Sequence, residues 1–268
     1  MVVHRHRRGS TASLAVLAAL VTASGCGTDD PSPAADGTAA VRGAADVLAR
    51  TGSARARTAM EMATGGTRVT IRGEGGVDFR KQMGQLLVML PADVTGKPGH
   101  RPITELLAPG ALYMKNRGAG VPADKWVRVD TTALADGNLV TGGATDPLAA
   151  AELLRAADGV TYVGETELSG TKVRHYRGTT DIGRAARTAS PQLRGALEAA
   201  AKGFSKDTVP FDAYLDEDGR LRKVRLRFSY VNNGVIDVSS TTLLYGFGTP
   251  VKVVLPASED IYAGRIAD

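Results

Sequence analysis

The sequence predicts an α+β fold: an antiparallel β-sheet with one solvated face, and helices covering the other. Three observations carry this. Residues 221–230 read LRKVRLRFSY. Leu221, Val224, Leu226, Phe228 and Tyr230 alternate there with Arg225, Arg227 and Ser229, the period-two pattern of a strand with one wet face. The stretches Asp216-Glu217-Asp218-Gly219 and Asn232-Asn233-Gly234 flank it. Both are tight hairpin signatures and make the neighbouring strands antiparallel. Finally, residues 41–50, 147–157 and 182–204 carry helical signals and are the available cover for the dry face.

The elements follow in order. In the helix at 41–50, Val41, Ala44, Ala45 and Leu48 fall on one face, and Gly52 ends it. Strands at 54–62, 66–79 and 82–90 follow across glycine-rich junctions, and 106–115 and 126–130 continue the series. Asp146 as N-cap and Pro147 in the first turn start the helix at 147–157. Residues 160–168 and 172–181 form a hairpin across Ser169-Gly170-Thr171. The helical stretch 182–204 restarts at Ser190-Pro191. Strands at 209–215, 221–230 and 235–244 run in series, and 251–255 predicts a last short strand before a tail.

Ahead of this domain lies a segment suited to export. Arg5, Arg7 and Arg8 form a basic start, 14–21 is apolar, and Ala23, Ser24 and Gly25 lead into Cys26, the one cysteine of the chain. The run Ala-Ser-Gly-Cys resembles the bacterial lipobox, in which the cysteine receives a thioether-linked diacylglycerol before cleavage. Ala23 stands where leucine is commonest. The apolar run is far short of the ~20 residues that span a bilayer. Gly9-Ser10-Thr11 after Arg7-Arg8 does not fit the twin-arginine route, so general secretion is expected. The division is then a lipoprotein signal peptide at 1–25, a lipidated flexible tether at 26–40 and a folded domain at 41–268. The tether, GTDDPSPAADGTAA after Cys26, is small, polar and without aromatics, so it cannot bury a core. The expected location is the outer face of the cytoplasmic membrane, with the protein held there by its N-terminal lipid.

Charge and composition exclude several classes. The formal charge of +5 shrinks once the three arginines of residues 1–25, which no acid balances, are set aside. No basic run is interleaved with aromatics, so nucleic acid is not an expected partner. One cysteine cannot form an internal disulfide, so packing must supply the stability. His100 and His175 are isolated, which is neither a metal site nor a triad. Ser169 to Lys172 has the spacing of a serine nucleophile with its lysine, but in a hairpin turn and without the partner motifs. Residues 216–219 resemble the start of a calcium loop, yet the twelfth position is Arg227 and strands flank it. The glycine pairs at 65–66, 75–76 and 142–143 lack a phosphate-loop context. No enzymatic activity, metal or cofactor is expected. Arg222, Lys223, Arg225 and Arg227 form a basic stripe, read as a solvated sheet face; contact with anionic headgroups is the sharper option.

Three strings carry a family resemblance: VPFDAYLDEDGRLRKVRLRF, the pair YMKN and KWVRVD, and the closing YGFGTPVKVVLPAS. Their order, with the lipobox, resembles the actinobacterial lipoprotein family that includes LppX and LprG, similar in fold to the LolA and LolB carriers. The resemblance spans about residue 41 to the C-terminus. It implies a strongly curved antiparallel sheet, a half-barrel, with helices packed over the concave face and an apolar cavity between them for the acyl chains of lipids or lipoglycans. The inward positions that would line it are Leu86, Val88, Leu90, Leu112, Met114, Phe211, Leu215, Val224, Leu226, Phe228, Ile236, Val238 and Leu244. Plain core packing gives the same alternation. The implied function is a membrane-anchored binder or carrier of lipids at the cell envelope, working with the membrane and with a transporter or envelope protein. The alternative is an envelope interaction or sensor module that uses the same fold to bind a partner protein.

Overall fold

The computed structural model describes residues 33–64, 66–91, 101–117, 120–142, 145–204, 206–231 and 235–264. The signal segment, Cys26, His100 and the turn at 232–234 lie outside the described residues.

Among the described residues, eleven strands form one antiparallel sheet. They are β1 (Ser53–Thr64), β2 (Thr67–Asp78), β3 (Met83–Met89), β4 (Ile103–Ala108), β5 (Ala111–Lys115), β6 (Trp126–Asp130), β7 (Ala157–Leu168), β8 (Thr171–Asp181), β9 (Thr208–Leu215), β10 (Leu221–Val231) and β11 (Val235–Tyr245). The spatial order is β6-β5-β4-β3-β2-β1-β11-β10-β9-β8-β7. Two meanders, β1 to β6 and β7 to β11, are thus joined at the middle by the β1–β11 pairing, and the sheet stays open with β6 and β7 as its edges. Curling shows in the backbone. A Cβ on Gly75 of β2 would stand 1.8 Å from the Gln85 carbonyl oxygen of β3, so glycine is what lets these strands close on each other. Register shifts between Asp158 and Thr161, and again between Tyr162 and Gly164, bend β7 against β8.

Among the described residues five helices cover the concave face: α1 (Pro33–Arg42), α2 (Ala44–Thr51), α3 (Pro147–Leu153), α4 (Ile182–Thr188) and α5 (Pro191–Gly203). The helices after α1 bury the faces their spacing dictates. In α5 these are Leu193, Ala196, Leu197 and Ala200, recurring at three- and four-residue intervals. Every residue of α3 is buried, so it is a core helix rather than a surface one. Asp146 caps it by accepting from the Leu148 N–H at 2.8 Å. Inward side chains of the strands and of these helices form one apolar cluster. Among the described residues no helix is long and apolar enough to cross a membrane.

The fold departs from the sequence reading in four places. Helix α1 occupies 33–42, overlapping the end of the span read as tether (26–40), and a break at Gly43 separates it from α2. The packing that holds α1 is tertiary: a Cβ on Gly37 would lie 3.0 Å from the Tyr176 ring. The stretch 106–115 is two strands rather than one, folded at Pro109-Gly110, where Gly110 has φ +69°. The helix at 147–157 stops at Leu153, gives one 3-10 turn, and passes into β7 at Ala157. Residues 251–255 form no strand. Both edges near them are taken, since β11 pairs with β10 and β1. The C-terminal segment instead runs to the edge of the sheet, where the Tyr262 N–H donates to the Trp126 carbonyl at 2.8 Å.

Candidate functional site

The concave face is the candidate site. Of the thirteen inward positions named from sequence, Leu86, Val88, Leu112, Met114, Phe211, Leu215, Val224, Leu226, Phe228, Val238 and Leu244 are buried in the apolar cluster. Leu90 and Ile236 are partly buried and pack against it. Cross-strand register brings them together in pairs: Leu226 opposite Phe211, and Phe228 opposite Val238. The cluster holds further residues the sequence reading passed over: Met60 of β1, Ile71 and Val77 of β2, Ile103 and Leu107 of β4, and Val127 of β6. Period-two alternation in β1 (Ala54, Ala56, Thr58, Met60) and in β4 (Ile103, Glu105, Leu107) was the available signal.

The helical cover meets this floor through alanines set among larger apolar residues: Leu48 of α2, Leu148 and Leu153 of α3, Ile182 of α4, and Leu193 and Leu197 of α5. Ala149, Ala150 and Ala151 of α3, Ala185 and Ala186 of α4, and Ala196 and Ala200 of α5 are all buried. The cover is tied together internally. The Arg155 Nε donates to Glu152 at 2.7 Å, its Nη2 donates to Asp46 of α2 at 2.8 Å, and the Ser190 N–H before α5 donates to Glu152 at 2.9 Å. Ahead of α3, the Asp136 carboxylate accepts from the N–H groups of Asn138, Val140 and Thr141 and from the Thr141 hydroxyl, at 2.6–3.1 Å. That closes the 131–142 loop around Leu139, which is fully buried.

One ionisable group interrupts the apolar floor. Glu105 of β4 lies opposite Leu86 on one side and Met114 on the other. It is 1% exposed, and neither carboxylate oxygen has a hydrogen-bond partner. Burial pushes its pKa up to about 8, reinforced by Asp146 and opposed by Arg117. Burial likewise raises Asp146 to about 6, opposed by the N–H groups of Leu148 and Ala149. The Asn138 Oδ1, also buried, has no partner either. It and Glu105 Oε1 flank Gly142, at 2.7 and 3.5 Å from the point where a Cβ would stand.

The opposite face is polar and committed. Arg222 is 3.7 Å from Asp216 and stacks on the Phe247 ring, while Lys223 lies over Tyr214. Arg225 Nε donates to the Ser239 hydroxyl at 2.8 Å, and Arg227 pairs with Asp212. The basic stripe is therefore a network within the sheet. His175 belongs to it, with Nε2 2.8 Å from Asp212 and its ring stacked on Tyr214. Burial alone would raise Asp212, but hydrogen bonds from Arg227, His175 and Arg177 outweigh it and hold the carboxyl down at about 2. A cleft of about 450 Å³ lies beside Arg225 and Arg227, with Glu61, Arg68, Lys206 and Asp237 on its walls. Ala63, Pro210, Phe228 and Val238 border it as well, so its walls are part charged and part apolar.

No protein-family model matches the sequence, and no curated protein matches it. Similarity is found among solved structures. The lipoprotein LppX of Mycobacterium tuberculosis matches 81% of this chain and 97% of its own, at 12% identity and a TM-score of 0.51. LprF of Mycobacterium bovis matches 85% and 99%, at 14% identity and 0.46. A LolA superfamily protein of Nitrosomonas europaea matches 77% and 90%, at 9% identity and 0.36. At these identities the likeness to LppX shows a shared fold, and the two lower scores add nothing to it.

Proposed function

We propose that the chain is a non-enzymatic lipid binder of the cell envelope, tethered through a lipid on Cys26, that takes acyl chains between the sheet and its helical cover. One observation supports this most: a single apolar cluster runs across the concave face and continues into the helices that cover it. Lifting the cover gives up the apolar contacts these helices make. Hydrocarbon entering the gap replaces that loss at ~0.8 kcal/mol per buried methylene. Because Glu152 and Arg155 link α2, α3 and the start of α5, the cover can part from the floor as a body. The floor side chains are buried and packed against one another, so binding on this reading is coupled to opening.

That close packing also favours a second reading, a partner-protein module whose interior never opens. Lipid extraction and mass spectrometry of the purified whole chain separate the two. Acyl lipid in near-equimolar amount, beyond the chains attached at Cys26, is expected. An interior free of lipid after purification from a lipid-rich source, with no uptake from added vesicles, would overturn the proposal.

A further inference from the structure

Glu105 is out of place in a plain core. A buried carboxyl normally finds a donor or an ion-pair partner, whereas Glu105 and Asn138 together present three buried acceptor oxygens without donors. Two of them, Glu105 Oε1 and Asn138 Oδ1, converge at Gly142. On the floor the row through Glu105 runs to Leu86, then to Gly75 and Ala56, and ends at Leu244. A polar end is thus followed by apolar ground, much of it low because two of the residues are small.

We propose that Glu105 and Asn138 form the polar anchor of the interior, receiving the hydroxyl groups of an amphiphile with a polyol headgroup, such as glycerol, while its hydrocarbon lies along the row from Leu86 to Leu244. Hydroxyls both donate and accept, which suits the Asn138 oxygen and the Glu105 carbonyl as acceptors and the O–H of a neutral Glu105 as donor. An ammonium headgroup suits the site less, because burial and Asp146 both work against an ionised Glu105. The anchor rests on the lipid-binding reading above, since the site is reached only when the cover parts.

The test uses three probes with one chain length: palmitoyl glycerol, methyl palmitate and hexadecylamine. Their binding to the whole chain in mild detergent is read by native mass spectrometry. The wild type is expected to hold palmitoyl glycerol about tenfold or more above the methyl ester, the size of effect a buried hydrogen-bonding site gives. Glu105→Leu should remove that preference and keep the ester, and Glu105→Gln, which both donates and accepts, should keep part of it. Equal binding of glycerol and ester by the wild type, or a preference that survives in Glu105→Leu, overturns the anchor and leaves the lipid reading standing. A preference for the amine that vanishes in Glu105→Leu overturns the hydroxyl assignment. Binding of none of the three by the wild type overturns the anchor together with the lipid reading.

Discussion

Replacing Glu105 by glutamine should stabilise this protein, and by an amount that grows with pH. The folded state raises this carboxyl from an ordinary 4.5 to about 8, so the fold holds the proton more tightly than the unfolded chain does. Protonation therefore favours folding. That stability is fully present below about pH 4.5 and is lost as pH rises through about 8. With 1.36 kcal/mol per pKa unit, the loss reaches ~3 kcal/mol at pH 7 and ~5 kcal/mol above pH 8. Glutamine keeps the shape, cannot ionise, and escapes the loss. The gain of Glu105→Gln over the wild type should thus be near zero at about pH 4.5 and ~3 kcal/mol at neutrality. Asp146 and Arg117 stay in place in both proteins, so the difference isolates Glu105. Urea unfolding followed by circular dichroism, repeated from acid to mildly alkaline pH, measures it. A gain that is absent, or equal at every pH, would refute the placement of an unpartnered carboxyl in the apolar floor.

Other substitutions probe other parts. Cys26→Ser should remove the diacylglycerol mass from the mature protein and move it from the membrane fraction to the soluble one; unchanged mass would end the lipobox assignment. Phe211 is fully buried opposite Leu226, so Phe211→Ala should cost about 3–5 kcal/mol in an unfolding titration. For Asp212, whose pKa is depressed from 3.8 to about 2, the sign is the reverse of Glu105. Its stabilisation is present above about pH 4 and fades as pH falls through about 2. Asp212→Asn should be less stable by roughly 1 kcal/mol at neutrality, an amount kept small by the exposure of Arg177 and Arg227. The difference should close in acid, and a gap of constant size would argue against the ion-pair network.

Much of the sheet is legible in the sequence because one of its faces is wet. In β10 the arginines mark the solvated side and leave Leu221, Val224, Leu226 and Phe228 as the dry one, as the structure has them. The α3 cap is equally local: Asp146 and Pro147 announce it. What is not legible depends on distant partners. Val251, Val253 and Leu255 alternate like a strand, but β1 and β11 have no free edge to offer them. The residues of α1 are too small and polar to announce a helix, and packing against β7 is what orders them. Pro109-Gly110 is a local turn signal between β4 and β5 that a single strand at 106–115 does not take into account. Glu105 is the instructive miss at the site. It lies in step with Ile103 and Leu107, so its inward direction is readable, but its lack of a partner depends on how the 131–142 loop folds over it.

The account turns on whether the cover parts from the floor to admit hydrocarbon. Hydrogen exchange at the amides of residues 148–153 in α3, measured on the whole chain with and without palmitoyl glycerol, addresses that directly. Opening predicts slow exchange in α3 without lipid and a clear change when lipid is bound, together with the added mass of one ligand. Unchanged exchange and unchanged mass at saturating lipid would contradict it and leave the interior as a closed core.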